Sequence, residues 1–156
     1  MRSKTKHATW ENAFLRGAPA PSLAGKVLNA LHDFLRADAE LLLRDVNERT
    51  ITGRIADHLR PRLPGWDVDC EYNRDGHNIK RIDGRIVVPD IIVHRRGTLD
   101  NLLVIEVKKS NTTESDEEDL GKLKDFRSCH LNYRNALFVK LGVGSRAPSI
   151  QRVQWV

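Results

Sequence analysis

The stretch from residue 89 to residue 108, PDIIVHRRGTLDNLLVIEVK, constrains the fold of this chain more than any other. Two short apolar runs, IIVH and LLVIEV, flank the turn-rich segment RRGTLDN, a pattern that predicts a β-hairpin. Alternate residues of a strand share a face, so Glu106 and Lys108 point the same way from an otherwise apolar strand. Burying charge is costly unless the charge is paired or binds a metal. The pattern therefore predicts either an ion pair at the surface or a functional site.

The arrangement resembles the PD-(D/E)XK nuclease superfamily, whose fold is also called restriction-endonuclease-like. Pro89-Asp90, fifteen further residues and then Glu106-Val107-Lys108 match the signature of that family, which lies on a β-hairpin at the centre of a small sheet. The resemblance extends over residues 48 to 141 when the flanking helices are included. It implies a nuclease that hydrolyses the phosphodiester bonds of DNA with Mg²⁺, for which Mn²⁺ is a substitute.

The resemblance also implies a role for each signature residue. Asp90 and Glu106 would hold Mg²⁺, which prefers oxygen ligands, and the Val107 carbonyl is a third ligand. Lys108 would position or deprotonate the attacking water, or stabilise the developing negative charge. The family often supplies a further glutamate from its first core helix. Glu48 takes that place at the N-terminal end of an apolar helical stripe, although an acid there also suits the helix dipole.

Five further residues are candidates for a role near this site. Lys122 lies in the helix after the signature, where basic residues of such nucleases contact phosphate or the active site. His94 lies an even number of residues after the aspartate of the motif, which places both on one face of a regular strand. Arg95 and Arg96 lie in the hairpin turn and are expected to flank the cleft and bind phosphates. Glu71 either approaches the site or pairs with an arginine in solvent.

The remaining pattern predicts an α/β domain with a mixed sheet. Apolar spacing and turn residues predict these elements: helices over 22–43 (capped by Ser22, with a kink near 36–38), 48–60 and 116–128, and strands over 66–73, 85–94, 101–109, 135–143 and 149–156. The order from residue 48 onwards is helix, three strands, helix, strand. This is the αβββαβ order of the restriction-endonuclease-like core, here with an additional N-terminal helix.

Composition predicts a basic domain that binds a polyanion. Residues 1–21 read as a basic N-terminal arm and residues 22–156 as a single domain. The net charge of +5 favours a polyanionic partner such as a nucleic acid, and the family resemblance implies that it is DNA. No apolar run approaches the roughly 20 residues of a membrane span, and the N-terminus lacks the apolar segment of a secretory signal. We therefore expect a cytoplasmic protein with no membrane association.

Two other hypotheses stay open at this stage. The first is a catalytically silent module that binds nucleic acid or protein on the same scaffold. The second is a partner subunit that forms a homodimer or a larger complex through its N-terminal helices. Leu41, Leu42 and Leu43 favour the second hypothesis, because three consecutive leucines are more than one helix face can bury against its own sheet.

Overall fold

The computed structural model describes residues 9–76 and 78–156. The helices are α1 (Trp10–Leu15), α2 (Pro21–Ala37), α3 (Ala39–Leu43), α4 (Glu48–Leu59) and α5 (Asp116–Ser128), with short 3-10 helices at Arg60–Arg62 and Gly144–Arg146. The strands are β1 (Asp67–Cys70), β2 (Arg74–Asp75), β3 (Asn78–Ile79), β4 (Arg81–Ile82), β5 (Arg85–Ile86), β6 (Ile91–His94), β7 (Asn101–Lys109), β8 (Asn135–Gly142) and β9 (Ser149–Trp155). In this described part of the chain, no helix combines the length and the apolar character that crossing a membrane requires.

A mixed five-stranded sheet forms the centre of the molecule, in the order β1-β6-β7-β8-β9. Neighbouring strands are antiparallel except β7 and β8, which are parallel and are connected through α5. The two-residue strands form two small hairpins, β2–β3 and β4–β5, between β1 and β6. The predicted mixed α/β architecture is therefore confirmed, and β7 is its central strand.

Helices cover both faces of the sheet, which explains why β7 is apolar on both sides. Leu103, Ile105 and Val107 pack into the cluster formed with α1, α2 and α4. Val104 packs on the opposite face into the cluster that contains residues of α5. Since Glu106 lies two residues after Val104, the carboxylate and Lys108 fall on the α5 face of the sheet.

The segment 85–94 is not one strand, as the sequence pattern predicts, but two short strands separated by an irregular stretch. β5 ends at Ile86 and β6 begins at Ile91. Pro89 lies in the break because proline has no N–H to donate to a ladder. The break leaves Asp90 outside the sheet ladder, immediately before β6, where its side chain is free to serve another purpose.

The N-terminal part of the domain also differs from the expected boundaries. α2 begins at Pro21, in the first helical position that suits proline, so Ser22 is not its cap. Residues 9–20, assigned by composition to an arm, are packed on the domain: Phe14 of α1 is buried, and the Trp155 indole donates to its carbonyl at 2.8 Å. The basic residues of the expected arm at positions 2, 4 and 6 lie outside the described residues.

Candidate active site

A polar cavity of about 200 Å³ opens beside the C-terminal half of β7. Its walls come from the start of α4, the residue before β6, the end of β7, the loop that follows, and α5. The lining residues are Glu48, Asp90, Glu106, Val107, Lys108, Thr112, Glu114, Asp119 and Lys122. Five carboxylates face two ammonium groups, so the lining carries an excess of negative charge that favours a cation.

Asp90 and Glu106 are adjacent in this cavity because Ile91 pairs with Ile105 at the start of the β6–β7 ladder. The Asp90 N–H donates to Glu106 Oε1 at 3.3 Å. Burial raises the pKa of Asp90, and burial together with the charge of Asp90 raises the pKa of Glu106 well above its ordinary value. Glu106 is only 3% exposed, so little water is available to stabilise its charge. Without a cation, simultaneous ionisation of both carboxyl groups of the pair is therefore unfavourable.

Val107 completes the set of oxygen atoms at this point. Its N–H donates to Asp90 Oδ2 at 2.8 Å, so the main chain of Val107 faces the edge where β6 has ended. The Ser110 N–H donates instead to Leu141 of β8, as the alternation along a strand requires. The N–H and C=O of one strand residue face the same edge, so the Val107 carbonyl lies on the Asp90 side of β7.

The two lysines of the cavity each lie against a different carboxylate. Lys108, which is 4% exposed, places its Nζ 2.9 Å from Asp119 Oδ2 and donates to the Ser115 carbonyl at 2.7 Å. Lys122 places its Nζ 3.2 Å from Glu106 Oε1. Asp119 and Lys122 lie three residues apart on α5, which puts both on one helix face directed at β7.

Glu48 also lines the cavity. Asn47 caps α4 by accepting from the Thr50 N–H at 2.8 Å, so the capping role does not fall to Glu48. Desolvation, followed by the negative charge of Asp90, raises the pKa of Glu48 to about 6. The first turn of α4 thus brings a third acid next to the Asp90–Glu106 pair.

The structure does not bring His94, Arg95 and Arg96 to the cavity. They lie at the hairpin end of β6 and β7, whereas the cavity lies roughly 17 Å along β7 at about 3.4 Å per residue. The buried His94 places Nε2 2.7 Å from Asp69 Oδ2, and the Arg96 Nε donates to the same oxygen at 2.8 Å. Arg95 forms an ion pair with Asp100. The expectation that these residues flank the cleft is therefore not met, because local acids neutralise them at the far end.

Replacing Arg95 and Arg96 together with alanine should leave any affinity of the protein for DNA almost unchanged. The plot of log affinity against log salt should keep its slope within about half a unit, whereas loss of two phosphate contacts would flatten it by roughly two. The urea midpoint should fall instead, because Asp69 loses its ion pair with Arg96 and Asp100 loses one of its two arginine partners. A slope flattened by two units would instead show that these arginines contact phosphate.

Of the two positions predicted for Glu71, the structure shows the second, a pair with an arginine outside the site. Its carboxylate lies 3.1 Å from the exposed Arg49 guanidinium, and it does not line the cavity. Its backbone adopts a left-handed conformation (φ 51°) directly after β1, and its N–H donates to the Asp90 carbonyl. Glu71 therefore ends β1 and holds the main chain of Asp90 rather than contributing a carboxylate to the site.

Sequence reasoning missed three residues of the cavity: Thr112, Glu114 and Asp119. Asp119 was detectable, since it lies one turn after the cap of α5 and three residues before Lys122. Thr112 and Glu114 belong to the loop between β7 and α5, where no periodicity fixes the direction of a side chain.

The oxygen atoms at the end of β7 fit a hard divalent cation. Among residues 9–76 and 78–156, no three His, Cys, Asp or Glu side chains are grouped as a ready-made metal site. Mg²⁺, however, is commonly held by one or two carboxylates and retains several waters. Asp90, Glu106 and the Val107 carbonyl meet that requirement, and their excess negative charge would be relieved by a cation.

The carboxyl groups that line the cavity should make the stability of the cation-free protein depend on pH. A carboxyl whose folded pKa is raised, such as Glu48 at about 6 against an ordinary 4.5, stabilises the fold at low pH, and this contribution is lost as pH rises through 6. Glu48→Gln should therefore gain stability relative to wild type between pH 5 and pH 7.5, measured by urea unfolding in EDTA. Glu40→Gln, a change at an exposed helical glutamate, should follow wild type. If the free energies of unfolding of Glu48→Gln and wild type changed equally with pH, this result would contradict the raised pKa of Glu48.

Comparisons with protein-family models, with curated proteins and with solved structures found no match for this chain. The function of the cavity is therefore argued from its residues, its charges and its position in the fold.

Proposed function

We propose that this chain is a metal-dependent nuclease of the PD-(D/E)XK type, with a restriction-endonuclease-like core, that hydrolyses phosphodiester bonds of DNA. The observation that carries the proposal is that Asp90, Glu106 and Lys108 line one polar cavity at the end of the central hairpin. A hairpin register shifted by one residue would have turned the Glu106 and Lys108 side chains to the other face of the sheet. An excess of carboxylates in the same cavity supports a cation-dependent reaction.

Mg²⁺ would be held by the carboxylates of Asp90 and Glu106 and by the Val107 carbonyl. When bound, it supplies positive charge to a phosphate and lowers the pKa of water, which are the two requirements of phosphodiester hydrolysis. Support comes from the raised pKa values of both carboxyl groups, because a pair that ionises poorly alone gains most from a cation. Mn²⁺ accepts the same oxygen ligands and would substitute.

Lys108 and Glu48 would act on water and phosphate. Asp119 and the Ser115 carbonyl fix the Lys108 ammonium at the cavity wall, where it would orient the attacking water or neutralise charge that develops on the phosphate. Glu48 lines the same cavity, where its carboxylate would hold the cation or a water bound to the cation. The net charge of +5 supports a polyanionic substrate. The preference for DNA rests on the family resemblance.

The second candidate function is a catalytically silent binding module on the same scaffold. One observation favours it: the Lys108 ammonium is buried and already satisfied by a carboxylate and a main-chain carbonyl of its own chain. A lysine used only to hold α5 against β7 would show the same contacts. The partner-subunit hypothesis rests on α3, where Leu42 is buried in the domain core and Leu43 is exposed.

Incubation of the purified protein with single- and double-stranded DNA and RNA tests the proposal. Cleavage of DNA is expected with Mg²⁺ or Mn²⁺ and is expected to stop in EDTA. Binding of DNA without cleavage, in the presence of either ion, would favour the silent module. Cleavage that persists in EDTA would contradict the proposed chemistry.

A further inference from the structure

Lys122 occupies a junction between the candidate active site and a larger open groove. Its Nζ lies 3.2 Å from Glu106 Oε1 and donates to the Val88 carbonyl at 3.0 Å. The same residue lines the polar cavity and a neighbouring groove of about 680 Å³ between α5 and the segment 82–88. The ammonium group therefore has a carboxylate on one side and open space on the other.

The contact with Glu106 places a positive charge where the proposed cation would also be attracted. Two like charges a few ångströms apart in a partly buried site repel each other. Glu106 cannot give its full charge to both Lys122 and a divalent ion. Lys122 therefore either weakens cation binding or moves away when the cation arrives.

We propose that Lys122 is a built-in counter-ion of the cation-free site, which competes with the divalent cation for Glu106 and, once displaced, binds a phosphate of the substrate. This inference rests on the proposed function, because it assumes that the Asp90–Glu106 pair binds a cation. It assigns regulation of that site to one residue of α5. Cation binding would then prepare the site for the nucleic acid by releasing a phosphate-binding group.

The surroundings of Lys122 allow this movement. The Lys122 side chain is 32% exposed, and its only carboxylate contact within the described residues is Glu106. Gly121 lines the groove beside it, and a Cβ there would meet no atom of another element within 4 Å, so the groove is not filled at this point. The flexible lysine stem can therefore enter the groove without displacing packed atoms.

Lys108 cannot perform the same exchange. Its side chain is 4% exposed, and Asp119 and the Ser115 carbonyl hold its ammonium in place. The two lysines of the cavity thus differ: Lys108 is fixed in place, whereas the Lys122 ammonium contacts the Glu106 carboxylate that the cation would take over, the Val88 carbonyl and, at 6.0 Å, the Phe126 ring.

Calorimetric titration with MnCl₂ and MgCl₂ tests the competition without any cleavage assay. Lys122→Gln should bind either ion about five- to tenfold more tightly than wild type, since it removes a partly buried like charge. Lys124→Gln removes the same charge from an exposed position of the same helix and should stay within about twofold of wild type. Lys122→Arg, which keeps the charge, should also stay close to wild type.

Three outcomes decide the inference. Tighter binding by Lys122→Gln alone supports it. Unchanged or weaker binding by a folded Lys122→Gln, with wild type binding normally, overturns the competition while the proposed function stands. Absence of binding by all four proteins overturns the proposed function, and the inference with it.

The second half of the inference concerns the released ammonium. DNA binding in Mg²⁺ is measured against salt in a Lys108→Met background, so that cleavage does not interfere. Addition of Lys122→Gln should flatten the slope of log affinity against log salt by about one unit, as expected for one lost phosphate contact. Addition of Lys124→Gln is the matched control. An unchanged slope with Lys122→Gln would show that the released lysine does not reach phosphate.

Discussion

Asp90→Asn and Glu106→Gln should each lower the rate of DNA cleavage by about a thousandfold or more, and the double variant should be hardly slower than either single one. Both carboxylates belong to one ligand set, so the loss of either removes the function of the whole set. The variants should also be more stable than wild type in EDTA at neutral pH, because each removes one of two buried, mutually repelling charges. Cleavage is followed on labelled DNA, and stability by thermal unfolding.

The control for these variants is Glu40→Gln, which neutralises an exposed glutamate that pairs with Arg44 on α3. It should keep the wild-type rate and the wild-type melting temperature. A folded Glu106→Gln protein that cleaves DNA as fast as wild type would exclude the carboxylate pair from the chemistry. Loss of folding in either variant would instead show that the pair is needed for packing.

Lys108→Met should lower the cleavage rate by about two to four orders of magnitude and leave Mn²⁺ affinity within a few-fold of wild type. Methionine keeps most of the apolar stem in place, so the change removes mainly the ammonium group. This result would distinguish Lys108 from Asp90 and Glu106, because the loss of either carboxylate should remove both DNA cleavage and Mn²⁺ binding. Rates are measured on labelled DNA and affinities by calorimetry.

Lys109 provides a matched control on the adjacent residue of β7. Its ammonium lies 2.8 Å from Asp45 Oδ1 and donates to the Val46 carbonyl, and it does not line the cavity. Lys109→Met should cleave DNA at close to the wild-type rate. Equal rates for Lys108→Met and Lys109→Met would assign Lys108 to the docking of α5 and would remove it from the proposed chemistry.

Regular elements explain why five site residues could be located from the sequence. Glu106 and Lys108 share a face because a strand alternates, and Glu48 follows from the apolar stripe of α4. Lys122 follows from its place in the helix after the signature. Asp90 lies beside Glu106 because a hairpin brings residues at its two open ends together. In each case one periodicity or one turn fixes the position of the residue.

Residues whose position depends on partners in other elements could not be located in this way. An even offset from Asp90 placed His94 on the site face, but it does not reveal that Asp69 of β1 binds it at the opposite end of the strand. A register irregularity at Val93 and His94 further disturbs the alternation there. The position of Arg95 could not be predicted for the same reason, because its acidic partner Asp100 lies across the turn. Pairing of this kind depends on tertiary contacts that a linear pattern does not contain.

The remaining differences between the predicted and the observed fold involve segments that are too short to show a periodic pattern. The strands between residues 74 and 86 have two residues each, which is too short for any periodicity to appear. The apolar pattern predicts one strand over 85–94, and it does not show that the strand is interrupted between Ile86 and Ile91. That interruption matters for the site, since it leaves Asp90 and the Val107 main chain facing the cavity.

Calorimetric titration of Mg²⁺ into wild type and into the Asp90→Asn, Glu106→Gln double variant tests the central claim most directly. The claim is that the carboxylate pair at the end of β7 holds a divalent cation. Wild type is predicted to bind roughly one ion per chain at neutral pH, and the folded double variant is predicted to show no saturable binding. Equal binding by the two proteins, or no binding by wild type, would contradict the claim.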